Sequence, residues 1–186
     1  RRELLERLAL AFTVEPADVD ESVLGDETAA QYVQRLALAK ATAVGEPATL
    51  TIGCDTAVVV DGDILGKPVD RRDAAAMLQR LSGRAHEAIT GVAVAVTDAD
   101  GEQTTLADFA STTVTVDALG PDRIDWYLGT GEADDKAGAY ALQGAAALFA
   151  DRVEGSVTNV IGLPLPILDR LCRAAGADLL SFRVQR

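Results

Sequence analysis

Apolar positions along the chain change their period several times, and each change marks an element. Leu4, Leu5 and Leu8 share one helical face over Glu3 to Leu10, followed by a loop with Pro16 and the acidic run Asp18-Val19-Asp20-Glu21. Glu27 to Ala43 reads as a second helix, with Tyr32, Val33, Leu36, Ala39 and Lys40 at compatible spacing and Gly45 and Pro47 as its stop. Thr49 to Val60 is instead a β-branched run, a buried strand interrupted at Asp55. Asp61-Gly62-Asp63 is a hairpin signal, and Ile64-Leu65 begin the return. Helices are predicted over Arg71 to Leu81, stopped by Ser82-Gly83, over Pro121 to Leu128 behind a first-turn proline, and over Pro164 to Ala175. Strands are predicted over Glu87 to Thr97 and Thr104 to Asp117, with a turn at Asp98 to Gly101, and strand-like runs over Ala145 to Val153 and Val157 to Ile161. Strands and helices intermix, so the class is α/β with a mixed sheet.

Composition narrows this picture. A chain of 186 residues, 48% apolar and 25% charged, is about one globular domain with a core of Val, Leu, Ile and Ala, since aromatics make up only 4%. No apolar run is long enough for a membrane span, and the start carries no signal segment. The chain begins Arg1-Arg2 without a Met, so further residues are expected before Arg1 in the full protein. Two distant cysteines, Cys54 and Cys172, read as reduced thiols of a cytoplasmic protein, Cys54 as a small buried hydrophobe.

The net charge of −12 argues against a nucleic-acid surface and requires any phosphate site to be locally basic. Of the cations, 14 are Arg and only Lys40, Lys67 and Lys136 are Lys. Those three are candidates for places where a compact, mobile ammonium matters.

Three segments carry candidate chemistry. Asp55, amid Thr51-Ile52-Gly53-Cys54 and Ala57-Val58-Val59-Val60, is costly to bury alone. It must meet a metal, a cation or a proton, face a cleft, or serve as a cap or turn carboxylate. Lys67, in Gly66-Lys67-Pro68, can neutralise phosphate as a point charge, although the spacing is not that of a Walker motif. Asp134 to Gly144 brackets Tyr140 and Gln143 with small residues, and Gln143 offers a donor and an acceptor to the edge of a base. His86, the single histidine, reads as a structural hydrogen-bonding residue. No Ser/His/Asp set and no Cys/His metal spacing is present, so a covalent nucleophile is not indicated.

Eight segments in order resemble the Maf family of septum-formation-related nucleotide pyrophosphatases. They are Arg1-Arg2-Glu3-Leu4-Leu5, Val19-Asp20-Glu21, Arg35-Leu36-Ala37 with Lys40-Ala41, Gly53-Cys54-Asp55-Thr56, Gly66-Lys67-Pro68, Leu81-Ser82-Gly83-Arg84 with His86, Asp135-Lys136-Ala137-Gly138-Ala139-Tyr140 with Gln143-Gly144, and Val160-Ile161-Gly162-Leu163-Pro164. All three lysines fall inside them. The first looks like the end of the family's phosphate loop, whose earlier part and preceding strand are expected before Arg1. The resemblance implies a single domain over residues 1–186, a twisted sheet with flanking helices, and two lobes around a deep cleft holding the site.

It further implies hydrolysis of a nucleoside triphosphate to monophosphate and pyrophosphate, with Asp55 as the general base. Glu21 and Asp55 would hold Mg²⁺ or Mn²⁺, while Arg1, Lys40 and Lys67 would neutralise the triphosphate and Lys136 would assist at the substrate. Arg1, Thr56 and Gln143 resemble members acting on dTTP and UTP. Members preferring 7-methyl-GTP carry Gln after the aspartate and a different loop. A homodimer is compatible with the family, and a nucleotide-binding regulator of septum formation is the rival reading.

Overall fold

The structure is a computed structural model that describes residues 1–44 and 46–184; Gly45, read above as a helix stop, lies outside the described residues. Helices α1 (Arg2–Arg7) and α2 (Ala29–Thr42) precede strands β1 (Thr49–Val60) and β2 (Asp63–Leu65). Then come α3 (Arg71–Leu81), β3 (Ala85–Thr97), β4 (Gln103–Val116), α4 (Pro121–Leu128), β5 (Ala150–Glu154), α5 (Val157–Val160) and α6 (Leu165–Ala174). The α/β class holds, with helices flanking one five-stranded sheet in the order β2-β1-β3-β4-β5.

The sheet expected to be mixed is instead antiparallel, and tight returns make two of its pairings, β1–β2 and β3–β4. Asp61 and Gly62 both take positive φ, the backbone of a type I′ turn, and β2 folds back so that Val58 faces Leu65 and Val60 faces Asp63. Asp98 N–H donates to the Glu102 carbonyl in the β3–β4 return. The Ala48 N–H meets the Asp98 carbonyl at the start of β1, and Arg84 pairs with Asp61 near its end, so β1 and β3 run oppositely.

Two compact units make up the chain. One comprises Arg1–Asp55, Thr90–Ala110 and Gly162–Arg186, the other Thr56–Ile89 and Ser111–Ile161. The second holds a core in which Val58, Val60, Leu78, Val114, Tyr127 and Phe149 are all buried. In the first, α2 lies almost backbone-to-backbone on β1 and β3. Ala37 and Ala41 pack on Ala93 and Ala95, and a Cβ at Gly53 or Gly91 would collide with the α2 backbone at Ala37 or Val33. Here glycine is required for close approach.

Two predicted strands are corrected. Ala145–Leu148 is a 3-10 turn, and only Ala150–Glu154 is a strand. The alanine run lacks the β-branched residues that stiffen a strand, and Glu132 accepts the Ala145 N–H, which starts a helical turn. Val157–Val160 is a short helix: Ser156 caps it, and buried Asn159 donates to the Ala88 carbonyl and Thr112 Oγ1. A cap and a buried amide outweigh local β-propensity there. The first helix also stops early, at Arg7, with Leu10 bridged to Arg183 instead. No helix among the described residues is long and apolar enough to cross a membrane.

Candidate active site

The close seat of α2 has a direct consequence at Asp55. Strand alternation places Gly53 and Asp55 on the same face of β1, the face α2 covers, so the turn of α2 above Gly53 brings Lys40 onto Asp55. Lys40 Nζ donates to Asp55 Oδ1 at 2.7 Å and to Glu21 Oε1 at 2.6 Å. The interruption expected at Asp55 is absent: β1 runs unbroken from Thr49 to Val60, because its nearly buried carboxylate has met a cation. Burial opposes the Lys40 charge, but the bonds to Asp55 and Glu21 outweigh it and leave the ammonium's pKa raised. The Asp55 side chain is 13% exposed and that of Glu21 46%, so the cluster is open on the Glu21 side.

Glu21 stands on a loop that α2 also holds. The Tyr32 hydroxyl donates to the Glu21 carbonyl at 3.1 Å and Arg35 to the Ser22 carbonyl at 2.9 Å. Arg35 also forks onto both carboxylate oxygens of Glu27. Burial first, then the nearby Asp55 and Glu21 charges, push the Tyr32 phenol upward. A cavity of about 910 Å³ opens beside the cluster, with Arg1, Glu21 and Lys40 among its polar lining and Phe12, Ile52 and Phe182 among its apolar lining. Arg1 Nε donates to the Gly162 carbonyl at 2.7 Å.

Four predicted residues fall in the other unit. Thr56 is half-buried on the face of β1 opposite Asp55, beside Val58. Lys67 is exposed, and Lys136 pairs with Asp135. The Gly138 N–H donates to the Gly66 carbonyl, joining the Lys67 and Lys136 segments, and both ammoniums hold the Asp135 carboxyl below its usual range, Lys136 foremost. Gln143 is exposed on a turn whose flanks are nailed down: Tyr140 Oη lies 2.8 Å from His86 Nε2, Ala141 N–H donates to Tyr127 Oη, and Ala145 N–H donates to Glu132. His86 is the structural hydrogen-bonding residue the sequence suggested. Burial pushes its pKa down to about 4, so the ring is neutral at pH 7.

The arrangement thus brings Glu21, Lys40 and Asp55 together in one unit and gathers Lys67 with Lys136 in the other. Among the described residues no three His, Cys, Asp or Glu side chains form a ready metal cage. Two carboxylates converging on one cationic point is nonetheless a set that suits a hard divalent ion completed by phosphate oxygens. Burial pushes Cys54, next to Asp55, up to about 11, and Cys172 likewise, so neither offers a thiolate nucleophile.

The model of the family described as Maf-like protein matches residues 1–175, which include every residue of both gatherings. The chain belongs to the Maf family. Among curated relatives of this Maf chain, one from Anaeromyxobacter sp. (strain Fw109-5) is 51% identical over 180 residues, covering 96% of this chain and 86% of the relative. One from Moorella thermoacetica is 48% identical over 181 residues, covering 96% and 92%, and one from Myxococcus xanthus is 45% identical over 181, covering 96% and 89%. All three are named dTTP/UTP pyrophosphatase.

The props beneath the Maf motifs are not legible in the motifs themselves. Arg35 stands in a matched segment that gives it no role, Tyr32 reads as a helix-face residue, and Glu132 and Tyr127 read as ordinary positions. The available signal is the Glu27/Arg35 pair flanking the start of α2, a pairing whose geometry only the folded chain supplies.

Proposed function

We propose that the chain is a nucleoside triphosphate pyrophosphatase acting on dTTP and UTP, releasing monophosphate and pyrophosphate. The observation that carries this reading is the convergence of Asp55 and Glu21 on Lys40, in a chain about half identical to relatives bearing that name. Asp55 acts as general base and takes a proton from the attacking water. As that proton arrives, the carboxylate loses its charge and its hold on Lys40 weakens, which frees the ammonium for phosphate oxygens.

Arg1 and Lys67 add positive charge where negative charge builds in the transition state, which is the main way a protein accelerates phosphoryl transfer, and Lys136 assists at the substrate. A Mg²⁺ or Mn²⁺ ion held by Asp55 and Glu21 would supply further charge neutralisation and orient the phosphates. Arg1, Thr56 and Gln143 read the pyrimidine nucleotide, Gln143 through its paired donor and acceptor. Two buried, free cysteines fit a reducing cytoplasm.

The test is pyrophosphate release from dTTP, UTP, CTP, 7-methyl-GTP and ITP with Mg²⁺ or Mn²⁺. Preference for dTTP and UTP supports the assignment. Preference for 7-methyl-GTP or ITP keeps the chemistry and overturns the base-reading roles. No release from any of them favours a nucleotide-binding regulator instead.

A further inference from the structure

Glu21 has no strand or helix of its own to hold it; it belongs to the irregular run between α1 and α2. A flexible carboxylate there would spread over many positions, and holding it at one costs conformational entropy. Yet its Oε1 meets Lys40 at 2.6 Å, the same ammonium that Asp55 meets. The hold comes from the backbone side. Tyr32 grips the carbonyl of Glu21 itself, and Arg35 grips the next carbonyl, that of Ser22. Arg35 is in turn fixed at three points. Its Nε and one terminal nitrogen bind the two oxygens of Glu27 at 2.9 and 2.6 Å, and its guanidinium carbon lies 5.6 Å from the centre of the Tyr32 ring. Glu27 closes the frame by accepting the Leu24 N–H at 2.8 Å, and the Asp20 carboxylate accepts the Ser22 N–H at 2.9 Å.

We propose that Tyr32 and Arg35 are positioning residues for Glu21: α2 presents Lys40 toward Asp55 and, from its own first turns, clamps the loop that brings the second carboxylate to the same point. This rests on the reading that Glu21 belongs to the reacting site. Lysine cannot replace Arg35, because one ammonium cannot hold both Glu27 oxygens and the Ser22 carbonyl in the same planar fork.

The test is a double-mutant cycle on pyrophosphate release from dTTP, with Arg35→Met, Glu21→Gln and the pair together. Loss of a residue that orients a ligand side chain typically costs about ten- to a hundredfold. Arg35→Met is expected to lower kcat by about that factor with KM for dTTP little changed, and to add nothing in the Glu21→Gln background. Tyr32→Phe, which keeps the ring under Arg35 and removes only the hydroxyl, is expected to behave the same way with a smaller loss. It carries the test if Arg35→Met fails to fold.

Equal losses in both backgrounds would show a merely structural role and overturn the proposal, as would an unchanged kcat in Arg35→Met or, in its place, Tyr32→Phe. Full turnover in Glu21→Gln alone would instead remove Glu21 from the site, a failure of the underlying reading that the cycle reports separately.

Discussion

The charged cluster around Lys40 and the hydrogen-bonded loop around Gln143 solve opposite problems. At Lys40, three ionised groups share one point, partly open to water, and α2 is pressed against glycine to bring them there. At the 140–145 turn, the fixed groups are neutral or backbone: a buried His86–Tyr140 pair, a Tyr127 hydroxyl and N–H donors, with Glu132 the one carboxylate. The first arrangement holds charge where chemistry can use it. The second spends buried polar groups on shape and leaves Gln143 outside, where a ligand can meet it. Substitutions in the first should therefore cost turnover per folded molecule, and in the second stability more than turnover.

The largest effect should follow Lys40→Met, which removes the shared cation. Turnover per folded molecule should fall by about a hundredfold or more, in line with removal of one transition-state charge partner, and stability should fall as well, because Asp55 is left nearly buried without its cation. A variant that unfolds with its activity per folded molecule intact would erase the contrast.

Acid should act most clearly on the other region. His86 has its pKa depressed from about 6.5 to about 4, so the folded state disfavours its proton. The stability tied to the neutral ring is present above the unfolded value and is lost as pH falls from about 6.5 to about 4, on the order of 3 kcal/mol in full. Denaturation curves of the wild type and His86→Phe should therefore converge toward pH 4 relative to their gap at pH 7. Parallel curves would mean the ring is not buried as neutral imidazole.

Glu132→Ala should cost about 1–3 kcal/mol by stranding the Ala145 N–H. The same variant tests whether the turn positions Gln143: the ratio of dTTP to CTP hydrolysis should narrow while kcat on dTTP changes little. A comparable loss, about 1–3 kcal/mol, is expected from Tyr140→Phe, which strands the buried His86 Nε2, read by thermal unfolding. An unchanged unfolding temperature would mean that His86 does not depend on this hydroxyl.

The two regions are also unequally legible in the unfolded chain. Elements bounded by strong local chemistry, such as the Asp-Gly turn after Val60, the Pro121 start of α4 and the Ser82-Gly83 stop of α3, lie where their residues indicate. The runs Ala145–Leu148 and Val157–Val160 mislead, because their alanines and valines carry an apolar pattern while Glu132, Ser156 and Asn159 decide the backbone through contacts. At the site, the isolation of Asp55 in an apolar strand already demands a partner. That the partner is Lys40, 15 residues earlier in sequence, depends on Gly53 admitting α2 and is a property of packing alone. Arg35 and Tyr32 act through carbonyls, which have no sequence signature.

The most direct test of the central claim is Asp55→Asn, which keeps shape while removing the proton acceptor. Pyrophosphate release from dTTP and nucleotide binding should be measured on the same preparation. Release should be abolished while binding is largely retained. Full release in Asp55→Asn would contradict the assignment of Asp55 as general base.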